Sequence, residues 1–125
     1  MASRVVTVAF QGVEARRVDV EVQLTSGEVR FMLVGLGDKA VAESRERVRA
    51  AFAGLGLAMP SRRIIANLAP ADLPKEGSHY DLPIALAVMA AMGVLPEGAL
   101  AEWAAMGELS LDGRIVGAAG ALPAA

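Results

Sequence analysis

The chain has 125 residues, 54% of them hydrophobic, a formal net charge of −2 and no cysteine. That length suits one domain burying roughly two-thirds of the surface its unfolded form exposes, enough for a core without covalent staples. The lack of cysteine excludes disulfides, zinc–thiolate sites and thiol nucleophiles, and the near-balanced charge excludes a global field attracting phosphate backbones, so any anion contact must be local.

The segment Met1 to Thr7 carries one arginine and then turns strand-like, without the long apolar core of a secretory signal. The longest apolar run, Leu82 to Val94, is shorter than the roughly 20 residues a membrane-spanning helix requires. It reads as a buried core helix, and the expectation is a cytoplasmic protein without membrane contact.

Val5 to Phe10 forms the first expected strand. Val18, Val20, Val22 and Leu24 alternate with Arg17, Asp19, Glu21 and Gln23, the period-two pattern of a strand with one wet face. Glu28 to Val34 follows after the turn residues Ser26-Gly27, so residues 4 to 34 read as an antiparallel meander. From Asp38, the expected N-cap, Val41, Val48, Phe52 and Leu55 share one helical face while Glu43, Glu46, Arg47 and Arg49 occupy the other. This predicts a helix from Lys39 to Ala53, with Glu43 four residues before Arg47 as an ion pair and Gly54 and Gly56 as stops.

Arg62 to Leu68 is the next strand, and a Pro- and Gly-punctuated loop then leads to Asp81, the expected cap of a helix from Leu82 to Met92. Ala104 to Leu111 and Arg114 to Val116 close the series as a hairpin around Asp112-Gly113. The order βββαβαββ predicts an α+β fold, a mixed or antiparallel sheet with two helices on one face. The tail from Gly117 to Ala125 has neither a polar terminal segment nor a final element. A domain cut short at its C-terminus, with an uncovered edge or helix face, is therefore expected.

Several constellations invite chemistry. Ser78, His79 and Asp81 include the residue types of a triad, but adjacent side chains diverge and do not align hydroxyl with imidazole; His79 reads more simply as a solvated loop residue. Asp72, Glu76, His79 and Asp81 offer oxygen and nitrogen donors without a metal-binding spacing, and Lys75 can offset Glu76. Gly35-Leu36-Gly37-Asp38-Lys39-Ala40 satisfies the G-x-G-x-x-A form of a dinucleotide turn. Its strand is expected in a meander, however, and no acid ends the following strand, so a tight strand-to-helix turn is the preferred reading. Arg45 and Arg49 share a helical face, and Arg62 and Arg63 begin the next strand, so four guanidinium groups can gather at one edge as a nucleic-acid or domain-docking surface. Glu43 and Glu46 interrupt that patch and stacking aromatics are scarce, which favours a solvated or docking face. Trp103 reads as a core-edge residue and the six methionines as gap fillers.

Four ordered motifs carry a closer resemblance: Val34 to Ala51 beginning Val34-Gly35-Leu36-Gly37-Asp38, Asn67 to Gly77, Asp81-Leu82-Pro83-Ile84-Ala85-Leu86, and Gly107-Glu108-Leu109-Ser110-Leu111-Asp112-Gly113. Across essentially the whole chain they resemble the N-terminal domain of magnesium-chelatase-like AAA+ proteins of the ComM/YifB type. That domain is similar to the proteolytic domain of Lon and to the second domain of ribosomal protein S5. The resemblance implies a hexameric AAA+ ATPase core downstream, ATP and magnesium for the full-length protein, and a part in DNA branch migration during natural transformation. This chain contains no G-x-x-x-x-G-K-[ST] loop, so no cofactor is expected on it.

In the Lon-type pattern a serine stands two residues after the glycine of a Pro-Lys-Asp-Gly motif, activated by a lysine of the closing segment. Here Pro74-Lys75-Glu76-Gly77 puts His79 at the serine position, and Ala119-Gly120-Ala121 puts Leu122 at the lysine position. A leucine accepts no proton, so no catalytic residue is expected. The preferred expectation is a non-catalytic domain that assists assembly or regulation of a homo-oligomeric DNA-processing ATPase, in contact with the AAA+ core of the same protein. A residual serine hydrolase using Ser78 or Ser110, and an autonomous nucleic-acid-binding module on the arginine edge, are the alternatives.

Overall fold

The computed structural model describes residues 2–11, 14–70, 75, 80–94, 108–109 and 115–116. Its main sheet has four strands: β1 (Ala2–Gln11), β2 (Glu14–Thr25), β3 (Arg30–Val34) and β4 (Arg63–Ala69). Two helices pack on one of its faces, α1 (Asp38–Gly54) and α2 (Asp81–Ala91). A separate antiparallel pair, β5 (Glu108–Leu109) with β6 (Ile115–Val116), occupies the place of the expected closing hairpin. The α+β class, the mixed sheet and the helices on one face agree with the sequence reading.

The strand order does not follow a meander. It runs β1-β2-β4-β3, with β1–β2 and β2–β4 antiparallel and β3–β4 parallel. The turn near Gly27 therefore makes no hairpin; it carries the chain across the width of one strand, and β4 later fills the gap. β3, α1 and β4 consequently form a parallel crossover, the only way a chain can lay two neighbouring strands in the same direction. The composition of the strands explains their places. β4 contributes Ile64, Ala66 and Leu68 to the core and makes two ladders, whereas the short β3, with exposed Arg30 and Val34, lies at the edge.

Alternation continues along every strand. Val5 and Ala9, then Val18, Val20, Val22 and Leu24, then Phe31 and Leu33, then Ile64, Ala66 and Leu68 face the helices and are buried. Against them α1 brings Val48, Ala51 and Phe52, and α2 brings Ile84, Ala85, Ala87, Val88 and Ala91. The alanines allow α2 to lie close to β1 and β2, its main contacts. Ser3 fastens the two further by donating its hydroxyl to the Ala87 carbonyl at 2.5 Å. Pro83 is tolerated because it sits in the first turn, where a backbone N–H has no intrahelical acceptor.

Both helices end as their glycines suggest. Gly56 adopts φ +73° and donates to the Ala53 carbonyl at 3.1 Å, while Leu57 donates to Phe52 at 2.9 Å, a Schellman arrangement that satisfies the last carbonyls of α1. Among the described residues no helix is long and apolar enough to cross a membrane.

Candidate functional site

Asp81 does not cap its helix. The N-cap of α2 is Tyr80, without a side-chain cap bond, and Asp81 is the first helical residue. Its carboxylate, 1% exposed, instead reaches α1. Ser44 donates to Oδ1 at 2.6 Å, and the Arg47 guanidinium forks onto it, Nε to Oδ2 at 2.5 Å and Nη2 to Oδ1 at 3.2 Å. A carboxylate removed from water needs this combination of opposite charge and several donors to remain favourable. The Glu43–Arg47 pair expected from helical spacing is present at 3.8 Å but exposed, so Asp81 is the principal partner of Arg47. Sequence reasoning missed Ser44, although a signal existed: it interrupts the apolar stripe of Val41 and Val48 at helical spacing, and a hydroxyl there requires a buried partner.

The loop before α2 is described only in part. Lys75 is buried and its ammonium donates to the Pro70 carbonyl at 2.6 Å, so this cation braces the loop from inside. Asp72, Glu76, Ser78 and His79 lie outside the described residues, as do Trp103, Ser110 and Leu122. Of the proposed oxygen and nitrogen donors, Asp81 is the one described, and both its oxygens are held by Ser44 and Arg47.

The glycine turn before α1 stands differently from expectation. Because β3 and β4 are parallel, it does open a helix inside a strand–helix–strand crossover. Gly35, at φ +100°, lies against β4 so closely that a Cβ would fall onto the Leu68 carbonyl. Gly37 is extended and serves as the N-cap in place of Asp38. The turn is built for contact between backbones: β4 occupies the space over Gly35, and β4 ends in Leu68 and Ala69 without an acid.

The arginines form the second cluster. Arg45 donates Nη1 to the Phe31 carbonyl at 3.3 Å, and Arg49 lies over the Phe31 ring with its carbon 5.9 Å from the centroid. Arg63 donates to the Met32 sulfur at 3.8 Å. Arg30, which sequence reasoning did not include, is the register neighbour of Arg63 on the adjacent strand, and its backbone N–H bonds the Arg62 carbonyl at 3.4 Å. Arg30, Arg62 and Arg63 thus stand at the starts of β3 and β4, and Arg45 and Arg49 reach β3 from the helix side at Phe31. Arg49 pairs with Glu46 at 3.7 Å; no ion pair is found for the other four among the described residues. An open cavity of about 320 Å³ is lined by Leu24, Pro60, Ser61, Arg62, Ala91 and Met92, and among these described residues Arg62 is the titratable group.

Comparison with known proteins identifies the family. Residues 20–125 match the model of the ChlI family, described as subunit ChlI of Mg-chelatase. Competence protein ComM of Haemophilus influenzae is 45% identical over 116 residues, which cover 93% of this chain and 23% of that protein. The uncharacterized protein YifB of Escherichia coli K12 is 46% identical over 119 residues, 95% of this chain and 24% of YifB. A Mycobacterium tuberculosis H37Rv protein is 45% identical over 121 residues, 97% of this chain and 24% of its own length. The chain spans about a quarter of the length of the curated relatives it matches. It belongs to the magnesium-chelatase ChlI family, among proteins of the ComM/YifB type.

Proposed function

We propose that this chain is a non-catalytic, Lon-protease-like N-terminal domain of a cytoplasmic AAA+ ATPase that processes DNA. The observation that carries this reading is the occupied carboxylate at the loop-to-helix junction. Asp81 is the described acid nearest in sequence to the position that corresponds to a Lon-type nucleophile, and its oxygens are bound by Ser44 and Arg47 inside the core. These contacts give that carboxylate a structural task, tying α2 to α1. His79 and Leu122 stand where that chemistry needs a serine and a lysine. The domain then acts through its surfaces, assisting assembly or regulation of a homohexameric ring.

ATP and magnesium belong, in this reading, to an ATPase core outside these residues, and the domain contacts that core. The relative named competence protein supports a part in natural transformation, with DNA branch migration as the activity of the full-length protein. The test has two arms. A fluorophosphonate probe is expected to leave Ser78 and Ser110 unlabelled and the purified protein to cleave no peptide. The full-length polypeptide is expected to form a ring and hydrolyse ATP faster with DNA present. Peptide turnover abolished by Ser78→Ala would replace this reading with the residual hydrolase.

A further inference from the structure

We infer that the arginine-lined start of edge strand β3 is a docking rail for a nucleic-acid phosphate backbone, contacted without regard to base sequence. The inference deepens the DNA-processing reading and rests on it for the choice of polyanion.

The first argument is an uncompensated electrostatic cost. Arg30 and Arg63 are direct neighbours in the β3–β4 register, both exposed on the side of the sheet away from the helices. Like charges placed side by side destabilise a sheet. No ion pair relieves them among the described residues; Arg63 has a methionine sulfur for company. Arg62 precedes Arg63 on the same strand start, also exposed. On the helix side Arg45 and Arg49 approach the same strand through Phe31. Cations therefore flank one short edge from both faces of the sheet. Among the described residues, Glu28 lies two positions before Arg30, and Glu46 is paired with Arg49. In a chain of net charge −2, this corner is locally positive.

The second argument selects the class of anion. An acidic peptide would use an exposed strand edge by adding a strand to it. Here the Phe31 carbonyl already accepts from Arg45, which interferes with that ladder near the start of β3. A folded acidic protein would need an apolar centre to its interface, and among the described residues Val29 is the large apolar residue exposed beside these cations at the start of β3. A phosphodiester chain needs neither: guanidinium groups pair with its oxygens in bidentate fashion and no strand pairing is involved. Phe31, the aromatic ring at this corner among the described residues, is buried and offers bases no open face. Phosphate contacts alone position without specifying sequence.

The test titrates a short labelled DNA duplex with the 125-residue chain over a salt series, followed by fluorescence anisotropy. With three to four phosphates neutralised, log affinity is expected to fall against log salt with a slope of about −3 to −4. Arg30→Glu with Arg63→Glu is expected to weaken binding at least about tenfold. Arg30→Gln with Arg63→Gln, which removes charge without adding repulsion, should act in the same direction to a smaller extent. A control with the same charge change away from this corner, Arg4→Glu on β1 with Arg17→Glu on β2, should stay within about twofold. Circular dichroism confirms that each variant is folded, and polyglutamate is expected not to displace the duplex. Salt-insensitive or absent binding, unchanged binding by both β3–β4 variants, or displacement by polyglutamate as effective as by unlabelled DNA would overturn the inference. DNA-stimulated ATP hydrolysis by the full-length protein separates the two claims. If it persists while the rail fails, the functional reading stands alone; if it is absent while the rail binds, that reading fails and the rail remains.

Discussion

Helix α1 carries arginines to two regions that use the same chemistry in opposite ways. Toward α2 it sends Arg47, whose guanidinium is fully matched by a buried carboxylate and assisted by Ser44. Toward the sheet edge it sends Arg45 and Arg49, which meet a carbonyl and a ring beside three further arginines, four of the five without an ion pair among the described residues. The contrast separates structure from recognition. A charge buried with its partner fixes how two helices sit together, and its removal exposes an uncompensated ion to a low-dielectric interior. An exposed charge left unpaired adds little to stability and remains available to a ligand.

The sharpest way to break this comparison is at the buried end. Arg47→Ala leaves Asp81 in the core without its counter-ion and is expected to cost about 3 kcal/mol, near the lower end for a broken buried pair because Arg47 is 21% exposed. Chemical denaturation would measure this, and a loss below about 1 kcal/mol would place the pair among the ordinary surface bridges. Gly35→Ala acts on both regions at once, since it sets the entry of α1. A Cβ at φ +100° against the Leu68 carbonyl is expected to cost about 2 to 3 kcal/mol and to weaken the arginine corner as well. Ser44→Ala removes one donor to a charged acceptor and should cost about 1.5 to 2 kcal/mol in the same measurement.

A smaller effect of opposite sign is expected on β1. The Thr7 hydroxyl is fully buried and has no hydrogen-bond partner among the described residues. Thr7→Val removes that unsatisfied group at similar size and is expected to stabilise the domain by about 1 kcal/mol, read as a rise in melting temperature. At the exposed end, Arg30→Gln with Arg63→Gln should change stability by less than about 0.5 kcal/mol, as expected for surface positions. A large loss there would reassign the arginine edge to the fold.

Much of the architecture was legible because it is local. The alternation Val18 to Leu24, the helical stripe from Val41 to Phe52 and the apolar run after Asp81 each announce their element, and bounds agree within a few residues. The candidate site was legible in half. Arg45, Arg49, Arg62 and Arg63 were grouped from helix face and strand start alone; Arg45 and Arg49 reach Phe31 of β3, Arg63 reaches Met32 of the same strand, and Arg62 precedes Arg63 in sequence. Arg30 was missed because its membership depends on β3 lying beside β4, which no spacing within either strand encodes. Asp81 was misassigned for a similar reason. An acid at a helix start is a plausible cap until a partner from a distant element offers more donors.

From residue order alone come the kinds of elements, the single wet face of the sheet and the absence of thiol chemistry in these residues. Those follow from side-chain period and chemical identity, which are properties of the chain at short range. The tertiary structure decided that β4 enters between β2 and β3, that Asp81 is bound to α1, and that five arginines share a corner. These are choices between long-range partners. They depend on which strand gains two ladders and which buried charge finds a complement, quantities that exist only once the segments are packed together.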